Sequence, residues 1–294
     1  MKKRLSILLT AVMILGLILT GCGTKETNNN TAAKSDTEGD TAATTKEAAS
    51  ENTFKVGLEC AYAPFNWTQT DDSNGGVPID GTAEFAGGYD IEIAKKIAAG
   101  LGKELVVVKT DWDGLVPALL SGKIDAIIAG MSPTAERKET IDFSDNYYKS
   151  DLIMVVKKGS PFEKASSIQD FAGAKITAQL NTFHYSVIDQ IKDVKKQPAM
   201  DSFPAMRVAL ESGVIDGYVS ERPEGVSASS ANENFAMVEF TEGFETSEDD
   251  TAIAVGIQKG SELTAKINEI LAGISEEERI NIMDTAIKNQ PAAQ

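Results

Sequence analysis

From Phe54 onward, short runs rich in β-branched residues alternate with stretches whose apolar residues recur three and four apart. A chain with this rhythm buries both kinds of segment by laying helices on the faces of a largely parallel sheet. Phe54-Lys55-Val56-Gly57-Leu58 alternates as a short strand does. Asp90 is placed to cap a helix in which Ile93, Ile97 and Leu101 share one face, ended by Gly100 and Gly102. Leu105 to Val108 suits a buried parallel strand. Leu115 and Leu119 mark another helix, stopped by Ser121-Gly122, and Ile124 to Ala129 the next strand. A second series follows, with strands expected at 152–156, 175–179, 216–219 and 251–258. Helices are expected at 183–192, 204–212, 261–272 and 276–288. The Asp-, Gly- and Thr-rich segment 68–87 reads as a surface loop. Within it, Asp71-Asp72-Ser73-Asn74-Gly75 has the start of a calcium loop but lacks the acid at its far end.

The N-terminus is of another kind. Lys2, Lys3 and Arg4 precede an apolar run from Leu5 to Leu19, short for a spanning helix and flanked as an export signal is. Leu19-Thr20-Gly21-Cys22 resembles the lipobox of bacterial lipoproteins, which makes Cys22 the expected site of lipidation and residues 1–22 the signal and lipobox. Residues 23–52 hold Thr, Asn, Ala, Lys and Glu without apolar periodicity, so a flexible linker is expected there. No later stretch is apolar enough to span, and the body is expected outside the cytoplasm, tied to the cell membrane through Cys22.

Charge and rare residues narrow the function. Loss of Lys2, Lys3 and Arg4 with the signal takes the formal charge from -16 to -19. So acidic a chain argues against nucleic acid as a partner. With Cys22 set aside, Cys60 has no intramolecular partner, and the single histidine, His184, leaves no His cluster for a metal. No cofactor is expected.

Ligands of open α/β sheets bind beyond the carboxyl ends of strands. After the strand at 124–129 comes Gly130-Met131-Ser132-Pro133-Thr134-Ala135-Glu136-Arg137. Ser132 or Thr134 can cap a helix there, with backbone N–H groups turned to the crevice and Arg137 one turn on to grip a carboxylate. The alternative is a solvated Arg137. Glu221 leaves the strand at 216–219, placed to hold an ammonium or else to pair with Arg222. Glu59, Tyr62 and Phe65 follow the first strand and Trp112 the third, where aromatic residues serve either a core or a ligand wall.

Several ordered segments together resemble one family. They are Tyr62-Ala63-Pro64-Phe65, Gly88-Tyr89-Asp90-Ile91, Asp111-Trp112-Asp113-Gly114-Leu115, Gly122-Lys123-Ile124-Asp125-Ala126, Ser132-Pro133-Thr134-Ala135-Glu136-Arg137 and Phe143-Ser144-Asp145-Asn146-Tyr147-Tyr148. The series, over about residues 54–286, is similar to the family 3 extracellular solute-binding proteins of polar amino-acid ABC importers. The resemblance implies an α/β, two-lobed periplasmic-binding-protein-like fold with two hinge strands between the lobes, crossing near 148–153 and 246–254. Lobe 1 would be discontinuous, 53–150 with 250–294, and lobe 2 would be 151–249. By the same likeness Arg137 takes the α-carboxylate with help from Ser132 and backbone N–H groups near Gly130. Glu221 stands where the family usually has an Asp for the α-ammonium. Thr182 falls in a loop that usually reads Gly-Thr-Thr and here reads Asn181-Thr182-Phe183. Tyr62 and Trp112 match rings that sandwich the ligand side chain, Trp112 adding about 0.5–2 kcal/mol over a cation. Glu59 matches an acid that meets the distal cation of basic ligands. The same acid also occurs in relatives with amide ligands, so the implied protein is a monomer that binds a polar amino acid, a basic one or one with an amide side chain, and delivers it to an ABC permease. An amino-acid dehydratase or lyase on the same fold is the rival reading, with Glu59 or Glu221 as acid or base. His184 is expected on a helix surface or at the ligand.

Overall fold

The computed structural model describes residues 52–291. The signal at 1–22, Cys22 and all but the last residue of the linker at 23–52 lie outside the described residues. The chain opens with β1 (Thr53–Leu58), β2 (Ala61–Tyr62), β3 (Asn66–Gln69), β4 (Val77–Pro78) and β5 (Phe85–Gly87), then helix α1 (Tyr89–Gly100). Next come β6 (Glu104–Lys109), α2 (Leu115–Leu120), β7 (Ala126–Ile127), α3 (Ala135–Thr140) and the long β8 (Asp142–Lys149). A second set holds β9 (Leu152–Lys157), β10 (Lys175–Thr177), α4 (Phe183–Val187), β11 (Lys195–Lys196) and α5 (Phe203–Ser212). It continues with β12 (Gly217–Glu221), α6 (Arg222–Ala231) and β13 (Phe235–Val238). The chain ends in β14 (Ala252–Ile257), α7 (Leu263–Ala272) and α8 (Glu276–Asn289).

Two five-stranded sheets carry the two lobes. The first runs β6-β1-β7-β14-β8, with β1 parallel to β6 and β7, and β14 antiparallel to both its neighbours. The second runs β11-β10-β12-β9-β13, with β10 parallel to β11 and β12, and β9 antiparallel to β12 and β13. Central strands are covered on both faces, which is why they read as unbroken apolar runs. All six residues of β14 are buried, as are Ile153 to Val156 of β9. Helix α1 buries Ile93, Ile97 and Ala94 against the first sheet, each isoleucine contributing about 1.5–3 kcal/mol. The chain passes between the sheets at Ser150-Asp151 and again before β14, and the two passes touch, the Ser150 N–H donating to the Thr251 carbonyl.

Four local expectations are corrected. Segment 68–87 is not a loop: β3 pairs with β5 and β5 with β4 in a small antiparallel sheet, the β-forming Trp67-Thr68-Gln69 lying against Phe85-Ala86-Gly87. Its Asp71 accepts from the Ser73 N–H in a simple turn, and no acidic or His/Cys cluster suited to a metal occurs among the described residues. Asp90 is not a cap. Gly88 precedes the helix, and Asp90 lies in its first turn, fully buried. The strand at 104–109 is parallel but forms the edge of its sheet, so only Val107 is buried. The helix expected over 183–192 is α4 followed by a 3-10 turn at Ile188–Gln190.

Candidate functional site

The candidate residues sit at or just beyond the carboxyl end of a strand, or at the helix that follows it, with Tyr62 the last residue of β2. Glu59 follows β1, Trp112 follows β6, Gly130, Ser132 and Arg137 follow β7, and Thr182 follows β10. Glu221 is the last residue of β12. Gly130 has φ +61, and a β-carbon there would lie 2.6 Å from the Tyr62 ring, so the turn needs glycine on both counts.

A small cavity between the sheets is lined by Tyr62, Trp112, Gly130, Ser132, Arg137 and Thr182, and also by Gln179, Phe183, His184 and Phe203. It leaves about 10 Å³, room for roughly one water. It lies beside a cleft of about 820 Å³ that shares Trp112, Arg137, Thr182 and Phe183. Glu59 joins the cavity through Gln179, whose amide donates to both carboxylate oxygens at 3.0 and 3.2 Å. Glu221 joins it through the Tyr62 hydroxyl, which donates to its Oε2, and through His184, whose Nε2 is 3.4 Å from Oε1. All eight candidates therefore meet in one place.

Arg137 spans the two sheets. Its Nη1 donates to the Ser132 carbonyl at 2.9 Å and its Nη2 to the Asn181 carbonyl at 3.0 Å, while the guanidinium lies 5.1 Å from the centre of the Trp112 ring. Burial draws its pKa down to about 10, so it remains a cation at neutral pH. Asn181 in turn donates to Asp113 Oδ1 at 2.8 Å. The structure differs here from the sequence reading. Trp112 stacks on Arg137, and Tyr62 stacks on Phe203 at 4.1 Å and 10°, so the two rings do not face one another across an open slot. Ser132 contributes its carbonyl to Arg137, and the Gly130 N–H is committed to the Tyr147 hydroxyl at 3.2 Å. Thr134 caps α3, accepting from the Arg137 N–H, but Glu136 in the first turn opposes an anion there. The Thr182 hydroxyl donates to the Gln179 carbonyl at 2.7 Å and so shapes its loop.

Burial sets the charges. Glu59 is 7 % exposed, and desolvation pushes its carboxyl up to about 7 despite the Gln179 amide. Tyr62 is held well above its ordinary value by burial and then by Glu221, so its hydroxyl stays a donor. Glu221, 1 % exposed, does not pair with its neighbour, because Arg222 reaches outward to Glu239 at 2.7 Å. Beneath the cavity Asp90 accepts from Asn66 at 2.9 Å and from the Tyr147 hydroxyl at 2.8 Å, and burial lifts it to about 7. This chain of bonds from Asp90 through Tyr147 supports the Gly130 turn.

His184 is not on a surface. It is 7 % exposed, and neither ring nitrogen has a hydrogen-bond partner. Gln179, Phe183 and Phe203 were not singled out as ligand-facing from the sequence. Gln179 ends an expected strand, Phe183 opens one expected helix and Phe203 immediately precedes another, so only the position at a strand exit or helix start could have flagged them.

Residues 54–286 match the bacterial extracellular solute-binding proteins, family 3. The chain is 33 % identical over 237 residues to the Probable histidine-binding protein of Campylobacter jejuni, covering 77 % of this chain and 80 % of that one. It is 26 % identical to the arginine-binding extracellular protein ArtP of Bacillus subtilis, covering 92 % of each. Among solved structures it resembles an amino acid ABC transporter substrate-binding protein of Streptococcus pneumoniae bound to L-arginine, with a TM-score of 0.72 and 25 % identity over 83 % of this chain and 97 % of that one. An ancestral arginine-binding protein, bound to arginine, gives a TM-score of 0.65 and 31 % identity over 79 % of this chain and 97 % of that one. With these likenesses covering both sheets and every strand exit of the cavity, the chain belongs to the bacterial extracellular solute-binding proteins, family 3.

Proposed function

We propose that the protein captures a polar, basic L-amino acid between its lobes and delivers it to an ABC permease. A half-buried guanidinium lines the cavity from one sheet, a buried carboxylate from the other reaches it beside Tyr62 and His184, and this is the observation that carries the reading. Arg137 takes the α-carboxylate, exchanging its bonds to the Ser132 and Asn181 carbonyls for a bidentate pair. Glu221 takes the α-ammonium on Oε1. Glu59 faces the distal cation, with Trp112 and Tyr62 along the side chain. About 10 Å³ does not admit an amino acid, so entry requires the lobes to part and Arg137 to leave the Trp112 ring. Ligand then favours closure because its two ends are held by different lobes.

The hinge divides the chain into 53–150 with 250–294 and 151–249, the two passes at Ser150-Asp151 and Thr251 bending together. Cys22 anchors a monomer to the outer face of the membrane through the linker 23–52. The ligand is released chemically unchanged, which separates this role from that of a dehydratase or lyase.

A thermal-shift screen of the full chain against all amino acids tests the reading. A ligand at about 100 times its Kd adds about 2.7 kcal/mol of stability, a clear rise in Tm. Arg137→Ala and Glu221→Ala should each weaken binding about a hundredfold or more, since each leaves a buried charge unpaired. Undiminished binding by both variants would remove the assignment.

A further inference from the structure

Glu221 ends β12 with one carboxylate oxygen engaged and one open. Oε2 accepts from Tyr62, whereas Oε1 has no hydrogen-bond partner and faces His184 Nε2 at 3.4 Å. That is beyond the 2.7–3.2 Å of a formed N–H···O bond. His184 is the single histidine of the chain, 7 % exposed, in the first turn of α4, with the Phe183 ring 4.2 Å from its own. Two unpartnered ring nitrogens in a buried position are costly, and an apolar side chain would fill the space without that cost.

The charged groups around the imidazole come from both lobes. Glu221 approaches from β12, and Arg137 and Tyr62 line the same cavity from the first lobe. Glu59 lies one step away behind Gln179. On its own helix, Tyr185 turns its hydroxyl away to the Gln197 carbonyl.

We propose that His184 is a specificity-determining residue that shares Glu221 Oε1 with the ligand ammonium and thereby makes amino-acid capture depend on pH. The inference rests on the reading of Glu221 as the ammonium site. A neutral imidazole leaves Oε1 open and offers the ammonium a second acceptor through its unprotonated nitrogen. An imidazolium instead donates to Oε1 and repels the ammonium. Imidazole is the side chain that changes charge between pH 5 and 8, so affinity falls as the medium is acidified through that range.

Calorimetric titration of the full chain with L-arginine and with L-glutamine from pH 5 to pH 8 tests this, because neither ligand changes charge in that window. With L-glutamine the wild type should lose at least about tenfold in affinity between pH 8 and pH 5, and His184→Gln and His184→Asn less than about threefold, while with L-arginine the protonation of Glu59 adds a further loss common to wild type and variants. Glu59 and Asp90 titrate in the same window, which is why the comparison with the variants decides. The single histidine also gives one imidazole resonance by NMR, and this needs no variant. Saturation with L-arginine should move its titration midpoint at least about one pH unit downward, the linked counterpart of a tenfold coupling. An unmoved or raised midpoint, or equal pH profiles in wild type and both variants, would overturn the role of His184. A wild type that binds no amino acid at any pH would overturn the ammonium site itself and this inference with it.

Discussion

Glu59 carries a buried carboxyl whose ionisation costs stability. Its carboxyl protonates at about 7 in the folded protein, against 4.5 ordinarily. Below pH 4.5 both folded and unfolded chains hold the proton and burial costs nothing extra. Between 4.5 and 7 only the unfolded chain ionises, so stability falls as pH rises. Above 7 the full penalty, on the order of 3 kcal/mol, is present. Glu59→Gln keeps an acceptor for Gln179 and removes that charge. Urea unfolding should find it more stable than wild type by about 1–3 kcal/mol at pH 8 and equal to it near pH 4. The same variant should lose any preference for arginine over glutamine. The chemistry of this residue was only half legible in the sequence. A carboxylate after the first strand was visible, but its neighbour Gln179 lies 120 positions away and comes close only through the fold. His184 shows the same limit, since helix periodicity does not say that the helix start is buried against a carboxylate.

At the level of elements, the legible features were those with strong local pattern. β9, β14, α1 and the C-terminal helices lie where their apolar spacing put them. The small sheet within 61–87 was missed because its strands are two to four residues long and paired across a polar turn. Asp90 was misread because a cap and a buried first-turn acid have the same sequence neighbourhood. What distinguishes them is Asn66 and Tyr147, supplied by other elements. The Gly88 that precedes α1 has φ +123, and a β-carbon there would lie 2.3 Å from the Phe65 carbonyl oxygen. No rotamer change relieves a clash with backbone. Gly88→Ala should therefore cost about 2 kcal/mol or more, read as a lower urea midpoint.

In the whole molecule, the two lobes meet around the cavity through the stacked rings of Tyr62 and Phe203 and through a short set of polar contacts. Arg137 meets Asn181, Asn181 meets Asp113, Gln179 meets Glu59, and Tyr62 meets Glu221. On the far side α8 is tied to α6 by Gln290 and Ser227. Asp113 lines the cleft and not the small cavity, so removing it takes away a contact between the lobes without changing the cavity lining. Asp113→Ala should weaken amino-acid binding about 2- to 10-fold, the worth of one hydrogen bond that helps the closed state. Small-angle scattering of the unliganded variant should show a larger radius of gyration than wild type. The two-sheet plan itself was legible from the alternation of segments. The pairing of strands was not, because paired residues of β14 and β8 are all more than a hundred positions apart and meet only by topology.

That pairing has a consequence for how the chain is made. Ribosomes deliver residues 53–149 well before residues 252–257, yet β14 occupies the slot between β7 and β8. Until it arrives, the nascent first sheet is split, with an open flank on β7 and a stranded β8 that no neighbour in the finished order can hold. The last seventh or so of the polypeptide thus acts as a keystone, and a newborn chain must be kept from pairing with its siblings until that piece is in place.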